Sequence, residues 1–393
     1  MFRYLFKRDT ILATIMVFVL MGLLALIPFN THVLDPIKMA LQDFDYNDLV
    51  YSQMGKNSHT SVDTNIVVVN IGNAGRGDIT AMLEKVAAEK PVAIGVDVTF
   101  ENPKDPATDS ALQQFFVTNK NAVLAYNLQT AEEKLQAQGF LYNVVSEKGY
   151  ANFVGEDGGV IRYFAPAVQK EGSRYTSFAA AVVKLARPAS YEKLVKRNKP
   201  TETINYSRTA NKYIVIDGSE LLGDSSGNTV LKNKIVLLGY VSDNPGNIED
   251  KHFTPFNSKS VGKSVPDMNG VFVHANIIDM ILADQYVAKS PTWLNWLIAV
   301  LLGWLHMALF IRYFLDKHLW FHLLAKTIQV VSAILFVYLG LLFFYKWDIR
   351  INLTPAFVAI ILAVDVLYFY EAIVAWLHKK LGIQSIFVHH HGH

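Results

Sequence analysis

The 393-residue sequence contains no cysteine, so no disulfide can form and no thiolate is available as ligand or nucleophile. That fits an oxidising compartment without requiring one. Charge of one sign is also scarce. Lys and Arg number 36 against 34 Asp and Glu, a formal net charge of +2. Such a balance argues against a nucleic-acid binder and against docking on strongly acidic surfaces. There is no internal repeat and no long low-complexity linker.

What the chain has is apolar sequence, 51% of its residues, gathered into four runs at 11–28, 292–315, 324–345 and 354–377. Each approaches the roughly 20 residues that a helix needs to cross a bilayer. Residues 29–291 between the first and second runs read as ordinary globular sequence. The expected layout is an N-terminal segment and first span at 1–28, a folded domain at 29–291, a three-helix membrane bundle at 292–379 and a tail at 380–393.

Positive charge sets the expected orientation. Arg3, Lys7 and Arg8 precede the first run, Arg312, Lys317 and Lys326 flank the turn between the second and third runs, and Lys379 and Lys380 follow the last run. All three clusters are cytoplasmic if 29–291 is outside; Lys346 and Arg350 disagree. The first run ends ALIPFNTH, without a small-x-small cleavage site, and reads as an uncleaved anchor. Trp293, Trp296, Trp347 and Trp376 fall near span ends, as interfacial aromatics should. Asp365 falls near the middle of the fourth run, with no Lys or Arg expected at its depth. A carboxyl there costs at least ~2.5 kcal/mol on insertion scales and should face protein or water. His306, Gln329 and Ser332 are the internal groups it could meet; contact with another membrane protein is the alternative.

Within the globular segment, Asn65–Ile71 and Val92–Val98 read as buried strands joined by a helix over Asp78–Lys90, a βαβ unit with parallel pairing and a right-handed crossover. A helix at Asp109–Asn119 and a strand at Ala122–Tyr126 follow, then a more antiparallel stretch from Gly158–Phe164. Thr176–Ala186 reads as a helix, and Tyr213–Asp217 and Lys234–Gly239 as strands. Val271–Ala283 reads as a strand end passing into a helix that points toward the second span. The class is α/β with a mixed, mostly parallel sheet, plus four transmembrane helices, one N-terminal and three C-terminal.

The blocks IVVVNIG, KPVAIGVDVTFENP, GYANF, DGGVIRYF, TSFAAAVV, INY, NKIVLLGY, HFTPF and MNGVFVHANIIDMIL, in that order over about residues 35–290, resemble the CHASE type 2 domain. Where members of that family often have Asp at the end of the first strand, this chain has Asn70. The resemblance implies a bacterial extracytoplasmic sensory domain framed by one span before it and three after it. It further implies a diderm inner membrane and a periplasmic domain; receptors of the family suggest dimers, so a homo-oligomer stays open, although the usual reason for dimerising is the effector. Those receptors carry an effector after the last span. Here the sequence runs only to Gly392–His393. The expectation is a non-enzymatic sensor or accessory protein. Its domain binds a small ligand or a partner, and its membrane bundle couples to a separate inner-membrane protein.

Candidate site residues are few. Gly72–Gly77 between strand and helix, with Asp97 ending the next strand, has the look of a dinucleotide turn but the spacing G-x-x-G-x-G. An ordinary tight βα turn is the better reading, and an anion site made by the helix start and Arg76 stays open beside it. Gly223–Gly227 matches G-x-S-x-G around Ser225, yet lacks the strand-to-helix context of a nucleophile elbow. His252, His274, Asp97 and Asp157 have no metal-ligand spacing among them. Arg162 is expected to pair with Asp97 or Asp109 inside the fold, and the histidine tail at 389–393 is terminal. Arg76, Asp97, Arg162 and His274 therefore stand as ligand-binding candidates, and Asp365, His306 and Gln329 as membrane-partner contacts. No catalytic residue, metal or cofactor is assigned. Two other functions remain open: a structural subunit of an envelope complex, and a periplasmic hydrolase, which would need a nucleophile–base pair.

Overall fold

The structure, a computed structural model, describes residues 2–26, 45–57, 60–131, 134–154, 159–170, 172–223, 229–242, 244, 246–257, 265–316 and 318–387. The chain divides into two compact units, a globular one of residues 39–287 and a helical one of residues 1–38 with 288–393.

The globular unit is built on one sheet of β1 (Ile66–Asn70), β2 (Ala93–Val96), β3 (Ala122–Ala131), β4 (Lys134–Gln138), β5 (Lys148–Tyr150), β6 (Ile214–Asp217) and β7 (Ile235–Gly239). Its order is β6-β1-β7-β2-β3-β4, with β5 also against β3. Every pairing is parallel except that of β3 with β4. The mixed, mostly parallel sheet is as expected, but β1 and β2 do not pair: β7 lies between them. Local spacing identifies a strand–helix–strand passage, whereas a strand inserted from residues 235–239 leaves no mark in it.

β1 and β7 are buried along their whole length because helices cover both faces of the sheet. On one face, Ile79, Leu83 and Val86 of α1 (Arg76–Ala88) and Leu112 and Phe116 of α2 (Pro106–Thr118) pack on Val67, Val69, Ile94, Val96 and Leu238. Helix α2 starts sharply: Asp105 accepts a 2.9 Å bond from the Thr108 N–H, and Pro106 takes the first position, where no donor is needed. On the other face lie α3 (Phe178–Ala186) and α5 (Gly270–Ala283), with α4 (Pro188–Arg197) packed against both. Helix α3 sits very close to the sheet. A Cβ on Gly149 would stand 2.5 Å from the Phe178 Cα, so only glycine allows the approach. Val271–Val273, with their strand-like composition, are helical here: all three are buried in the first turn of α5, which packs on β7.

Four helices of the helical unit, Arg8–Ala25, Thr292–Asp316, Phe321–Trp347 and Thr354–Leu381, are long and apolar enough to cross a membrane. The first, second and fourth share a core around Val17, Met307, Phe310, Ala359, Ala363 and Leu367. At one end, Ala288–Lys289 pairs with Ile349–Arg350, joining the start of the second span to the link between the third and fourth. At the other, the buried Asp9 carboxylate accepts from the Tyr370 hydroxyl at 2.8 Å and the Ser385 hydroxyl at 3.0 Å. The beginning of the first span and the end of the fourth thus share an end, so the spans alternate in direction.

Candidate functional site

Parallel strands end at a common edge, and in open α/β sheets that edge is where crevices form. Here it carries Asn70, Asp97, Asn127 and Gly239. Asn70 is structural: its carboxamide oxygen accepts from the N–H groups of Gly72 at 3.0 Å and Val241 at 2.9 Å, tying the β1 turn to the one after β7. Gly72 supplies the left-handed residue of that turn at φ +51°. Residues 72–75 form a tight βα turn and Arg76 and Gly77 open α1, in keeping with the ordinary reading.

Asp97, just past β2, faces α5. Its Oδ1 lies 3.8 Å from Nε2 of His274, which is 3% exposed. The imidazole is held between Phe153, with ring centroids 4.5 Å apart, and Phe178 at 5.0 Å. Burial pushes its pKa down to about 3, and His252 nearby adds to the effect, so the ring is neutral. Its Nδ1 is buried with no hydrogen-bond partner. His252 packs on the same Phe153 at 5.0 Å. The backbone carbonyl of Asp250, a residue left-handed at φ +55°, accepts from the N–H of Gly270 at 3.0 Å. These groups surround a crevice of about 140 Å³ lined by Asp97, Asn127, Phe153, Asp250, His252 and His274. Among the described residues, no group of three or more His, Asp or Glu side chains converges to hold a metal ion.

Of the four ligand candidates, the crevice brings together Asp97 and His274 and leaves out both arginines. Arg76 donates to the Asp109 carboxylate and the Asn102 carbonyl, and its guanidinium lies 4.7 Å over Phe140. Arg162 does not pair with Asp97 or Asp109. Its Nε lies 3.0 Å from both oxygens of Asp48, and Nη2 lies 2.6 Å from Oδ2. Asp48 and Asp250 went unmarked in the sequence. Asp48 precedes the globular segment's first strand by many residues, and only a long-range contact reveals it. Asp250 stands in a polar loop beside His252, where proximity to a candidate was the available signal. Asp157, Ser225 and the tail histidines lie outside the described residues.

A family model for the CHASE2 domain matches residues 17–311. The chain belongs to the CHASE2 family. CHASE2 is an extracytoplasmic sensory domain, so the crevice lies in a domain of sensory kind. Neither the curated proteins nor the solved structures yield a match to the chain.

The helices flanking this CHASE2 domain settle where the polar membrane candidates point. His306 Nδ1 donates to the Leu302 carbonyl at 2.8 Å, leaving Nε2 to accept from the Ser332 hydroxyl at 2.9 Å. Gln329 donates to the carbonyls of Ile360 at 2.8 Å and Ile361 at 3.2 Å. All three expected internal partners of Asp365 are thus engaged elsewhere, and Asp365 itself is exposed on the outer surface of the fourth span. The expectation about depth also changes. The Gln329 bonds, and the 2.9 Å bond between His322 and Tyr368, set an antiparallel register that brings Lys326, also exposed, to about the level of Asp365. No ion pair joins the two.

Proposed function

We propose that this CHASE2 protein is a non-enzymatic sensor or accessory protein of a bacterial inner membrane. Its globular unit stands in the periplasm and takes a small polar ligand in the crevice beside Asp97 and His274. Its membrane helices couple to a separate membrane protein, both termini being cytoplasmic. The carrying observation is the crevice itself: it opens at the strand ends of a CHASE2 domain and is lined by polar groups, Asp97, Asn127, Asp250, His252 and His274 among them. The positive-inside pattern of Arg3, Lys7, Arg8, Lys379 and Lys380 supports the orientation, and the alternating spans are compatible with it.

Coupling through the membrane is supported by Asp365. A carboxyl exposed on the outside of a spanning helix costs at least ~2.5 kcal/mol on insertion scales and is relieved by a polar neighbour from another chain. The test is purification of the native complex in mild detergent from cells carrying the wild type or Asp365→Leu. A stoichiometric membrane protein retained by the wild type and released by the variant, at unchanged thermal stability, supports the reading. A protein that purifies alone in both forms removes the coupling.

A further inference from the structure

We infer that a second groove of the globular unit docks an extended acidic peptide segment of another protein, which adds as a strand to an open hairpin edge. The groove lies between α4 and the hairpin of Ala167–Lys170 and Ser173–Thr176, holds about 400 Å³, and shares no lining residue with the crevice at the strand ends. Among the described residues, Ala167–Lys170 pairs with Ser173–Thr176 alone, so its other edge is open. The direction of its backbone groups follows from the register. The Pro166 carbonyl accepts from the Ser177 N–H at 3.0 Å. Bonded and non-bonded pairs alternate along an antiparallel ladder. Val168–Tyr175 and Lys170–Ser173 are therefore the bonded pairs, while Ala167 and Gln169, opposite Thr176 and Arg174, turn their N–H and C=O groups to the open edge. These same two residues line the groove, and Val168 and Lys170 do not.

A short strand edge in water needs no occupant, because solvent satisfies its groups. Two further features set this edge apart. Across the groove, α4 contributes the buried Leu194 and the exposed Val195, so an apolar surface accompanies the edge. An extended peptide added to a strand takes main-chain bonds from the edge and side-chain contacts from the element beside it. The charge in the lining is also of one sign: it contains Arg174 and Lys199 and no Asp or Glu. Among the described residues, no carboxylate pairs with the exposed Arg174 guanidinium. Lys199 lies 3.5 Å from Glu202, whose carboxylate Arg197 already holds at 2.5 Å, so one carboxylate answers two cations. An acidic segment entering the groove meets opposite charge, and a basic one meets like charge. The size suits a strand. Ala167–Lys170 spans roughly 13 Å at the usual rise, enough to pair about three or four residues. A small free anion could use the two cations but would leave the strand edge idle.

The experiment follows the fluorescence anisotropy of labelled, end-capped hexapeptides added to the full-length protein in detergent. One probe alternates Glu and Val, the other Lys and Val. The Glu–Val peptide should bind at least about tenfold more tightly than the Lys–Val peptide, and Arg174→Glu should abolish or reverse that preference. The edge is tested apart from the charge. Proline is tolerated on an edge strand where the missing N–H faces outward, so Gln169→Pro removes one docking donor and leaves the hairpin's own bonds. It should weaken binding about two- to tenfold, whereas Gln169→Leu, which keeps the N–H, should bind as the wild type does. The peptide side gives the same test on unaltered protein: N-methylation of every second residue, in one of the two possible registers, should produce a comparable loss. Equal binding of the two probes, or binding of neither, overturns the inference. So does a charge preference that survives Arg174→Glu, full binding by both N-methylated registers, or displacement of the probe by free glutamate at the concentration at which the peptide itself displaces it. None of these outcomes touches the Asp97–His274 crevice or the membrane coupling, so failure here is distinguishable from failure of either.

Discussion

Acidification should weaken the globular unit through His274 by an amount that can be worked out in advance. Burial lowers this imidazole from its ordinary value of 6.5 to about 3 in the folded protein. A base whose folded pKa is depressed contributes stability above its unfolded value and loses it as pH falls toward the folded one. At pH 4.5 the unfolded chain has gained a proton that the folded chain refuses, and the loss is roughly 2.7 kcal/mol. For a domain of this size that is a fall of about 5–10 °C in Tm. Asp267 works in the other direction. Burial raises its carboxyl to about 6, although bonds from the Thr254 hydroxyl and N–H pull it down. An acid whose folded pKa is raised gains stability as pH falls through that value, here roughly 2 kcal/mol by pH 4.5. The two contributions nearly cancel in the wild type, so the contrast lies in the variants. Thermal unfolding of the full-length protein in detergent at pH 7 and 4.5 should show His274→Gln gaining about 5–10 °C on acidification relative to the wild type. Asp267→Asn should lose about 4–8 °C by the same comparison. If His274→Gln changes with pH as the wild type does, the imidazole is not held neutral by burial and the reasoning fails.

Three further outcomes are expected. Asp48→Ala should remove the carboxylate that Arg162 holds through Nε and Nη2 and lower the midpoint of a denaturant titration, whereas the double change with Arg162→Met should recover part of the loss. Gly149→Ala places a Cβ 2.5 Å from the Phe178 Cα, where the neighbour is backbone and cannot give way, so α3 should separate from the sheet and Tm should drop sharply or folded protein fail to accumulate. Gln329→Leu removes two bonds to carbonyls of the fourth span, and a steric-trapping measurement in bicelles should register a loss of about 0.6–1.7 kcal/mol.

The parts of the fold legible in the sequence are those fixed by local pattern. The four apolar spans, the all-apolar β1 and β7, and the Asp105-Pro106 start of α2 each carry their signal within a dozen residues. The segments that escaped are those whose state depends on distant contacts. Lys134–Gln138 pairs with the extended end of β3, and neither stretch announces a hairpin. The Pro188–Arg197 helix follows α3 after a single residue, Arg187, which caps both, and a break that short reads as one element ending. At the site, Asp97 and His274 were visible because strand ends and helix starts are where α/β folds gather ligands. Arg76 was visible for the wrong reason: its place beside a glycine turn suggested an anion, while Asp109 and Phe140 consume it in holding α1 to α2. Asp365 was conspicuous by charge alone, but which way it faces depends on the packing of the fourth span.

The same distinction bears on how occupancy of the crevice could be felt elsewhere. The sequence suggests one helix running from His274 toward the second span, a rigid lever. Helix α5 instead ends at Ala283, and Asp284 is left-handed at φ +56°, so residues 284–291 form a separate connection. Its first three residues are held within the globular unit: Asn205 donates to the Gln285 carbonyl at 3.3 Å, Lys193 pairs with Asp284 at 2.8 Å, and the Arg197 guanidinium lies 3.9 Å over Tyr286. A ligand that binds one setting of α5 better than another shifts the population of settings by that difference and no more. Because α4 supplies Lys193 and Arg197 and packs on α5, it forms a second physical path from α5 to 284–286 beside the chain itself. Arg197→Ala tests this. It keeps the crevice lining intact, so an effect on the wild type's response to ligand at residues beyond 287, with ligand-induced stabilisation unchanged, would assign the transmission to the α4 clamp; a response identical to the wild type would assign it to the chain alone.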